Sequence, residues 1–391
     1  MLSRPPAPSM PAAHAPQWDI FCKVIDNYGD IGVCWRLARQ LVTEHPLDVR
    51  LWVDDLQSFQ PLCPQIDPQR AVQQIDGVEV RHWAPGFPEL APGDVVIEAF
   101  GCPLSESFIV AMAQRKPQPV WINLEYLSAE SWVAGCHALS SPHPRLPLIK
   151  YFYFPGFSAN TGGLLREHDL LLRRDGFARD DGLQTAFWRE LGLPRPPANA
   201  LTVSLFAYEN PAISGLLQAW QDSPLPVSCL LPASRALPLV EAFCGAPLKV
   251  GDVVQRGALE LRVIPFVEQS LYDTLLWACD LNFVRGEDSF VRAQWAAKPM
   301  VWHIYPQQEN AHLVKLDAFL DIYCDELSEA ASAAVRAFWH AWNGGCLELG
   351  HWKEFIARLD DLNSHARRWE KKLALQEDLS SSLVRFCQSK L

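Results

Sequence analysis

No stretch of this 391-residue sequence approaches the roughly 20 consecutive apolar residues that a membrane-spanning helix needs. Its opening, MLSRPPAPSMPAAHAPQ, has no apolar block of the kind that directs secretion. Both absences lead to the expectation of a cytoplasmic protein with no membrane partner. Positive charge is also scarce, with 34 Lys and Arg against 45 Asp and Glu and a formal net charge of −11. Proteins that track a nucleic-acid backbone neutralise its phosphates with clustered Lys and Arg. A nucleic-acid partner is therefore not expected, and any nucleotide bound should be small. The 11 cysteines form no C-x-x-C pair, and no H-E-x-x-H occurs. Cys22, Cys34, Cys229 and Cys279 stand in apolar segments and read as reduced, buried small hydrophobes rather than zinc ligands. Nor is there a D-x-D triplet, the paired-carboxylate metal site of many sugar-nucleotide enzymes, or a G-x-G-x-x-G dinucleotide fingerprint. No metal and no resident cofactor are expected.

What is present is apolar residues in quantity, 49% of the chain, enough for a full core, and a length that favours two domains over one. Residues 1–17, rich in Pro and Ala without periodicity, read as a disordered leader. From residue 18 to about 165, short β-rich runs (WDIFCKVI, VRLWVD, VEVRHW, DVVIEAF, PVWINL) alternate with helix-like segments, the signature of a parallel sheet. Residues 166–199 are charged and end in the proline-rich LGLPRPPANA, and read as a linker. The alternation resumes over 200–350 with ALTVSLFAY, PVSCLLP, LELRVIPF, DLNFVR and KPMVWHI. Residues 351–391 have the pattern of amphipathic helices that pack across both halves and return to the first. The expected fold is α/β, two facing Rossmann-like domains with ligands at the carboxyl ends of the strands.

Two loops draw attention. The first, Asp26-Asn27-Tyr28-Gly29-Asp30-Ile31-Gly32, follows an apolar run and precedes the helix-like VCWRLARQL. Gly29 and Gly32 would let backbone amides approach an anion, yet two carboxylates in the same loop would repel one. Asp26 and Asp30 fit a cationic acceptor better, with one acid collecting the proton released on attack; Asp30 reads equally as a helix cap. The second, Arg285-Gly286-Glu287-Asp288-Ser289-Phe290, opens another helix after DLNFV. These polar groups read as ordinary caps, or as a diphosphate and sugar site with Ser289 and neighbouring amides as donors. Phe206, Tyr208, Phe266 and Tyr305 recur near other strand ends, where a base could stack and Gln269 read its edge; core packing is the alternative for each ring. His303 and His312 read as structural.

The strings VIDNYGDIGVCWRLARQL, INLEYLSAESW, KYFYFPGF, TGGLLRE, IPFVEQ, RGEDSFVRAQWA and WHIYPQQENAH together resemble the bacterial protein-arginine rhamnosyltransferases of elongation factor P, from about Trp18 through the last helices. The resemblance implies a GT-B fold, dTDP-β-L-rhamnose as donor, inversion at the anomeric carbon and no metal. It also implies an arginine of elongation factor P as acceptor, activating that factor for ribosomes stalled at polyproline. By position it implies Asp26 and Asp30 as the acceptor-facing acid pair, with Asp30 the base, and Glu287 as an essential acid. Donor contacts then map to Tyr208, Phe266, Gln269, Asp288, Ser289 and Tyr305, with Asn27, Tyr28, Gly29, Phe206, Arg285, Glu287 and Phe290 completing the expected donor site. Two other readings stay open: a GT-B transferase with another nucleotide sugar or a small-molecule acceptor, and a non-catalytic nucleotide-sugar-binding protein, which would need no acid pair.

Overall fold

The structure, a computed structural model, describes residues 15–26, 28–84 and 90–391. The expected leader lies outside these residues except for its last three positions. The first sheet has eight strands: β1 (Gln17–Cys22), β2 (Asp48–Val53), β3 (Val72–Ile75), β4 (Val78–His82), β5 (Val95–Ala99), β6 (Val120–Leu124), β7 (Ser140–Pro142) and β8 (Ile149–Tyr153). The second has six: β9 (Leu201–Leu205), β10 (Val227–Pro232), β11 (Val253–Arg256), β12 (Leu259–Ile264), β13 (Leu281–Arg285) and β14 (Met300–His303). Their orders are β3-β4-β2-β1-β5-β6-β8-β7 and β11-β12-β10-β9-β13-β14. All pairings are parallel except three at the edges, where β3, β7 and β11 run antiparallel to their neighbours.

The central strands β5, β6, β9 and β13 are buried along their whole length, as continuous apolar runs covered on both faces by helices require. In each sheet the chain turns back about its middle. Strands β1 and β5 are neighbours and their successors leave in opposite directions, as they do for β9 and β13. A crevice opens beyond the carboxyl ends of such strand pairs.

Residues 166–199, expected as a linker, instead contain the helices Leu170–Arg179 and Asp181–Glu190. Asp180 caps the second, accepting from the amides of Gly182 and Leu183. Leu170, Phe177, Phe187 and Trp188 join the core of the second sheet, so the charges that made the segment read as a linker occupy its solvent side. The C-terminal helices cross both halves. Trp369 packs in the second core, while Leu379, Leu383, Val384 and Cys387 pack in the first. Ser382 meets the Tyr153 hydroxyl at 2.6 Å. All 11 cysteines are free, and nine of them are buried. Among the described residues no helix is long and apolar enough to cross a membrane.

A buried ion cluster fixes the halves in register. Arg36, on the helix after β1, reaches Asp288 at 2.8 Å and both Asp273 and Glu167 at 3.4 Å. Arg292 grips Asp273 with two bonds of 2.7 Å and Glu167 at 2.8 Å. Neighbouring guanidinium groups hold the Glu167 carboxyl well below its ordinary value despite burial. Removing one member strands the others in a low-dielectric interior. Arg36→Ala should therefore cost about 3 kcal/mol, read as a lower urea midpoint with an unchanged slope. A midpoint equal to the parent's would show that the cluster contributes no net stability.

Candidate active site

The two crevices face each other, and nearly every residue singled out in the sequence lies on one wall or the other. Asp26 and Asp30 come from the loop and first helical turn after β1. Phe206, Tyr208, Phe266, Gln269, Glu287, Asp288, Ser289 and Tyr305 come from the segments that follow β9, β12, β13 and β14, and Arg285 is the last residue of β13. Asn27 lies outside the described residues.

On the first wall, Asp30 is not the cap of its helix. The cap position is Tyr28, which makes no side-chain cap bond. The Asp30 carboxylate instead reaches backwards: Oδ2 accepts from the amides of Ile25 and Asp26, both at 2.8 Å, and Oδ1 accepts from the Tyr126 hydroxyl at 3.0 Å. Three donors on one carboxylate fix its orientation. Asp26 is a different acid. Burial pushes its carboxyl up to about 6, the charge of Asp30 adds to this, and a hydrogen bond from Tyr208 and the charge of Arg285 work against it.

The walls meet at Asp26, whose Oδ2 accepts from the Tyr208 hydroxyl at 2.5 Å. Gly286 makes this approach possible. Its φ is +60°, and a Cβ there would lie 2.7 Å from the Tyr208 hydroxyl and 2.8 Å from Asp26 Oδ2. Glu287 occupies a helix cap position without capping, because its Oε2 accepts from the Leu127 amide of the first half at 2.9 Å. Burial pushes the Glu287 carboxyl up to about 8, helped by Asp30 and Asp288 and opposed by the Leu127 amide and Lys315.

A raised carboxyl value means that the folded protein holds a proton the unfolded chain gives up. Its stability is intact below the ordinary value and falls as pH rises through the folded one. For Glu287 that window runs from 4.5 to about 8, and for Asp26 from 3.8 to about 6. The thermal stability of Glu287→Gln relative to the parent should therefore climb across the Glu287 window and level off above it. A difference independent of pH would rule out a protonated Glu287.

Arg285 has the most telling surroundings. Its guanidinium lies 4.6 Å from the Phe206 ring, 4.5 Å from Tyr208 and 5.5 Å from Tyr28. It is 4% exposed, forms no ion pair and no side-chain hydrogen bond among the described residues, and its Nη1 is wholly buried without a partner. A buried cation of this kind is costly unless an anion joins it. It lines a cavity of about 430 Å³ with Tyr28, Phe206, Phe266 and Gln269. Tyr28 and Phe266 stand 4.7 Å apart, ring to ring. Gln269 Nε2 is engaged by the Gly32 carbonyl at 2.8 Å, while its Oε1 is buried and unpartnered, an acceptor for an incoming N–H. An adjoining cavity of about 860 Å³, open to solvent, is lined by Asp26, Asp30, Glu287, Phe100, Tyr126 and Tyr305, among others.

Several residues have partners that the sequence does not announce. The Ser289 hydroxyl, expected to meet a diphosphate, bridges the amide and carbonyl of Arg285, leaving the backbone amides of the uncapped helix Asp288–Trp295 free to do so. Asp288 is held by Arg36 and, at 3.3 Å, by Gln269, so it braces the pocket. Phe290 is 1% exposed, stacks on Trp302 at 3.9 Å and lines the larger cavity. Gly32 supplies its carbonyl to Gln269 and packs against Asp288, so it serves contact between the halves. His303 is buried, accepts from the Tyr208 amide and is pushed down to about 3 by burial and by Arg285, so it is a neutral structural residue. Among the described residues no cluster of three or more His, Cys, Asp or Glu could hold a metal ion.

The profile of the elongation factor P rhamnosyltransferase family EarP matches residues 18–388. The chain belongs to the EarP family. Protein-arginine rhamnosyltransferases of Pseudomonas putida and Neisseria meningitidis resemble it across most of its length. The first is 52% identical over 376 residues, covering 96% of this chain and 99% of the relative. The second is 37% identical over 379 residues, covering 94% and 96%. A solved structure described as the basis for EarP-mediated arginine glycosylation of translation elongation factor EF-P has a TM-score of 0.71 at 39% identity, covering 96% of this chain and all of that one. A UDP-glucosyltransferase from Polygonum tinctorium, at 9% identity and a TM-score of 0.51, shares the GT-B fold alone. Within this EarP-family site, sequence reasoning passed over Phe100, Tyr126, Leu127 and Arg36. The string INLEYL contained the second and third, but nothing in its pattern marks a tyrosine that will hold an aspartate at the start of a distant helix.

Proposed function

We propose that this enzyme transfers L-rhamnose from dTDP-β-L-rhamnose to an arginine side chain of elongation factor P, in the cytoplasm, by a single inverting displacement without a metal. The observation that carries the reading is the juxtaposition of a fixed acid pair with an unpaired, buried arginine across one cleft. Arg285 and the free amides of the helix after it suit a diphosphate. The aromatic rings suit a flat base, and Gln269 Oε1 suits the N3–H of thymine. The first half then holds the acceptor and the second the donor.

The acceptor guanidinium enters a cavity lined by Asp26, Asp30 and Glu287, whose carboxyl oxygens can accept from its N–H groups. An aspartate cannot deprotonate a resting guanidinium, whose pKa is above about 12. The acids therefore orient the nitrogen first. As its bond to the anomeric carbon forms, the carbon–oxygen bond to dTDP breaks, the nitrogen becomes acidic, and its proton passes to Asp30. The sugar carries oxocarbenium character at that point, as in glycoside hydrolysis, while Arg285 and the helix amides take up the charge on the departing diphosphate.

Incubation with elongation factor P and dTDP-β-L-rhamnose should add one deoxyhexose mass to a single arginine. No increment on active elongation factor P, with donor still bound, would favour a small-molecule acceptor.

A further inference from the structure

The turn that ends β5, beside the acid pair, has an unusual composition. The amide of Cys102 closes it onto the carbonyl of Ala99 at 3.2 Å, and both central residues have positive φ: Phe100 at +58° and Gly101 at +67°. Asn123 supports the bend, its Oδ1 accepting from the Gly101 amide at 3.0 Å. Turns of this kind favour Gly and Asn at both positions, and a bulky aromatic in left-handed backbone is a marked outlier. Strained residues of this kind gather where a site needs them.

The Phe100 ring packs against the edge of the first core without being enclosed by it. It is half-buried and stacked on Tyr126, with centroids 4.3 Å apart and planes inclined by 16°. Both rings line the cavity that holds Asp26, Asp30 and Glu287, and Tyr126 is the residue whose hydroxyl donates to Asp30. The pair is thus attached to the carboxylate that receives the proton, and one face of Phe100 is already covered. A flat cation gains most from such a surface, since a guanidinium stacks plane to plane on an aromatic face whereas an ammonium is a hydrated point charge.

We infer that Phe100, braced by Tyr126, is a stacking platform for the acceptor guanidinium and helps select arginine. The inference rests on the arginine-acceptor reading given above. The test is steady-state transfer to elongation factor P by Phe100→Leu, Phe100→Gly and Phe100→Tyr, with dTDP titrated separately. Glycine accepts the backbone of this turn without strain, so Phe100→Gly removes the ring while the fold persists, as its melting curve would verify. Phe100→Leu and Phe100→Gly should raise KM for elongation factor P roughly 3- to 30-fold, the range of a partly desolvated cation–ring contact. Phe100→Tyr should retain the parent KM, and dTDP affinity should not change. Parent-like KM in both ring-less variants would overturn the platform. A loss confined to kcat would also overturn it, because Phe100 would then act only through Tyr126 and Asp30. Failure of the parent enzyme itself to modify elongation factor P would instead remove the reading on which the inference stands.

Discussion

Replacing Asp30 with Asn should reduce rhamnosyl transfer by about 10²- to 10⁴-fold, the range expected when a positioned acid–base group is lost, while dTDP binding stays at the parent level. An amide oxygen can still accept from Ile25 and Asp26, so the loop keeps its shape, but no proton can be taken from the acceptor nitrogen. Asp30→Ala should be as inactive and also less stable, because the two loop amides and the Tyr126 hydroxyl lose their shared acceptor. The kinetic measurement is single-turnover transfer at saturating donor. Turnover near the parent rate in Asp30→Asn would assign the proton to another group, of which Asp26 is the nearest in sequence.

Arg285→Met should weaken dTDP binding by about 100-fold or more, as expected when one member of a buried charge pair is removed. Its stability without ligand should equal or exceed the parent's. The two effects have one cause. In the free protein the guanidinium sits among Tyr28, Phe206 and Tyr208 with no carboxylate partner, so an apolar side chain of similar length relieves a desolvation cost. With donor present, that cation becomes the partner of the diphosphate. Calorimetric titration of dTDP together with a thermal melt tests both halves. Unchanged affinity, or a large loss of stability, would show that Arg285 is a structural residue.

The sequence made the central parallel strands legible because they are buried on both faces and so carry short apolar runs: IFC in β1, VVI in β5, FV in β13. It concealed the antiparallel edges. β3 (VQQI), β7 (SSP) and β11 (VVQR) are short and largely exposed, and leave no apolar signature. Charge density misled over residues 170–190, where Leu170, Phe177, Phe187 and Trp188 decide the packing and the many charges merely face solvent.

In the site, Asp26, Asp30, Glu287 and Arg285 could be singled out because polar residues beside glycine at a strand end are rare enough to notice. Their partners were not legible. The Tyr126–Asp30 bond spans 96 positions and the Arg36–Asp288 pair 252, and neither tyrosine nor arginine carries a local pattern that announces a distant partner. The capping alternatives for Asp30 and Glu287 were sound inferences from position. They fail because each carboxylate finds donors outside its own helix, Ile25 and Asp26 for one and Leu127 for the other.

If a nitrogen of the acceptor arginine displaces dTDP directly, guided by the acids of one wall while Arg285 holds the diphosphate on the other, the stereochemistry of the product is determined. Proton–carbon NMR of elongation factor P modified by this enzyme from dTDP-β-L-rhamnose should show a single α-configured anomeric centre joined to an arginine nitrogen. A β-configured linkage would require two displacements or attack from the side of the departing diphosphate, and would contradict the account.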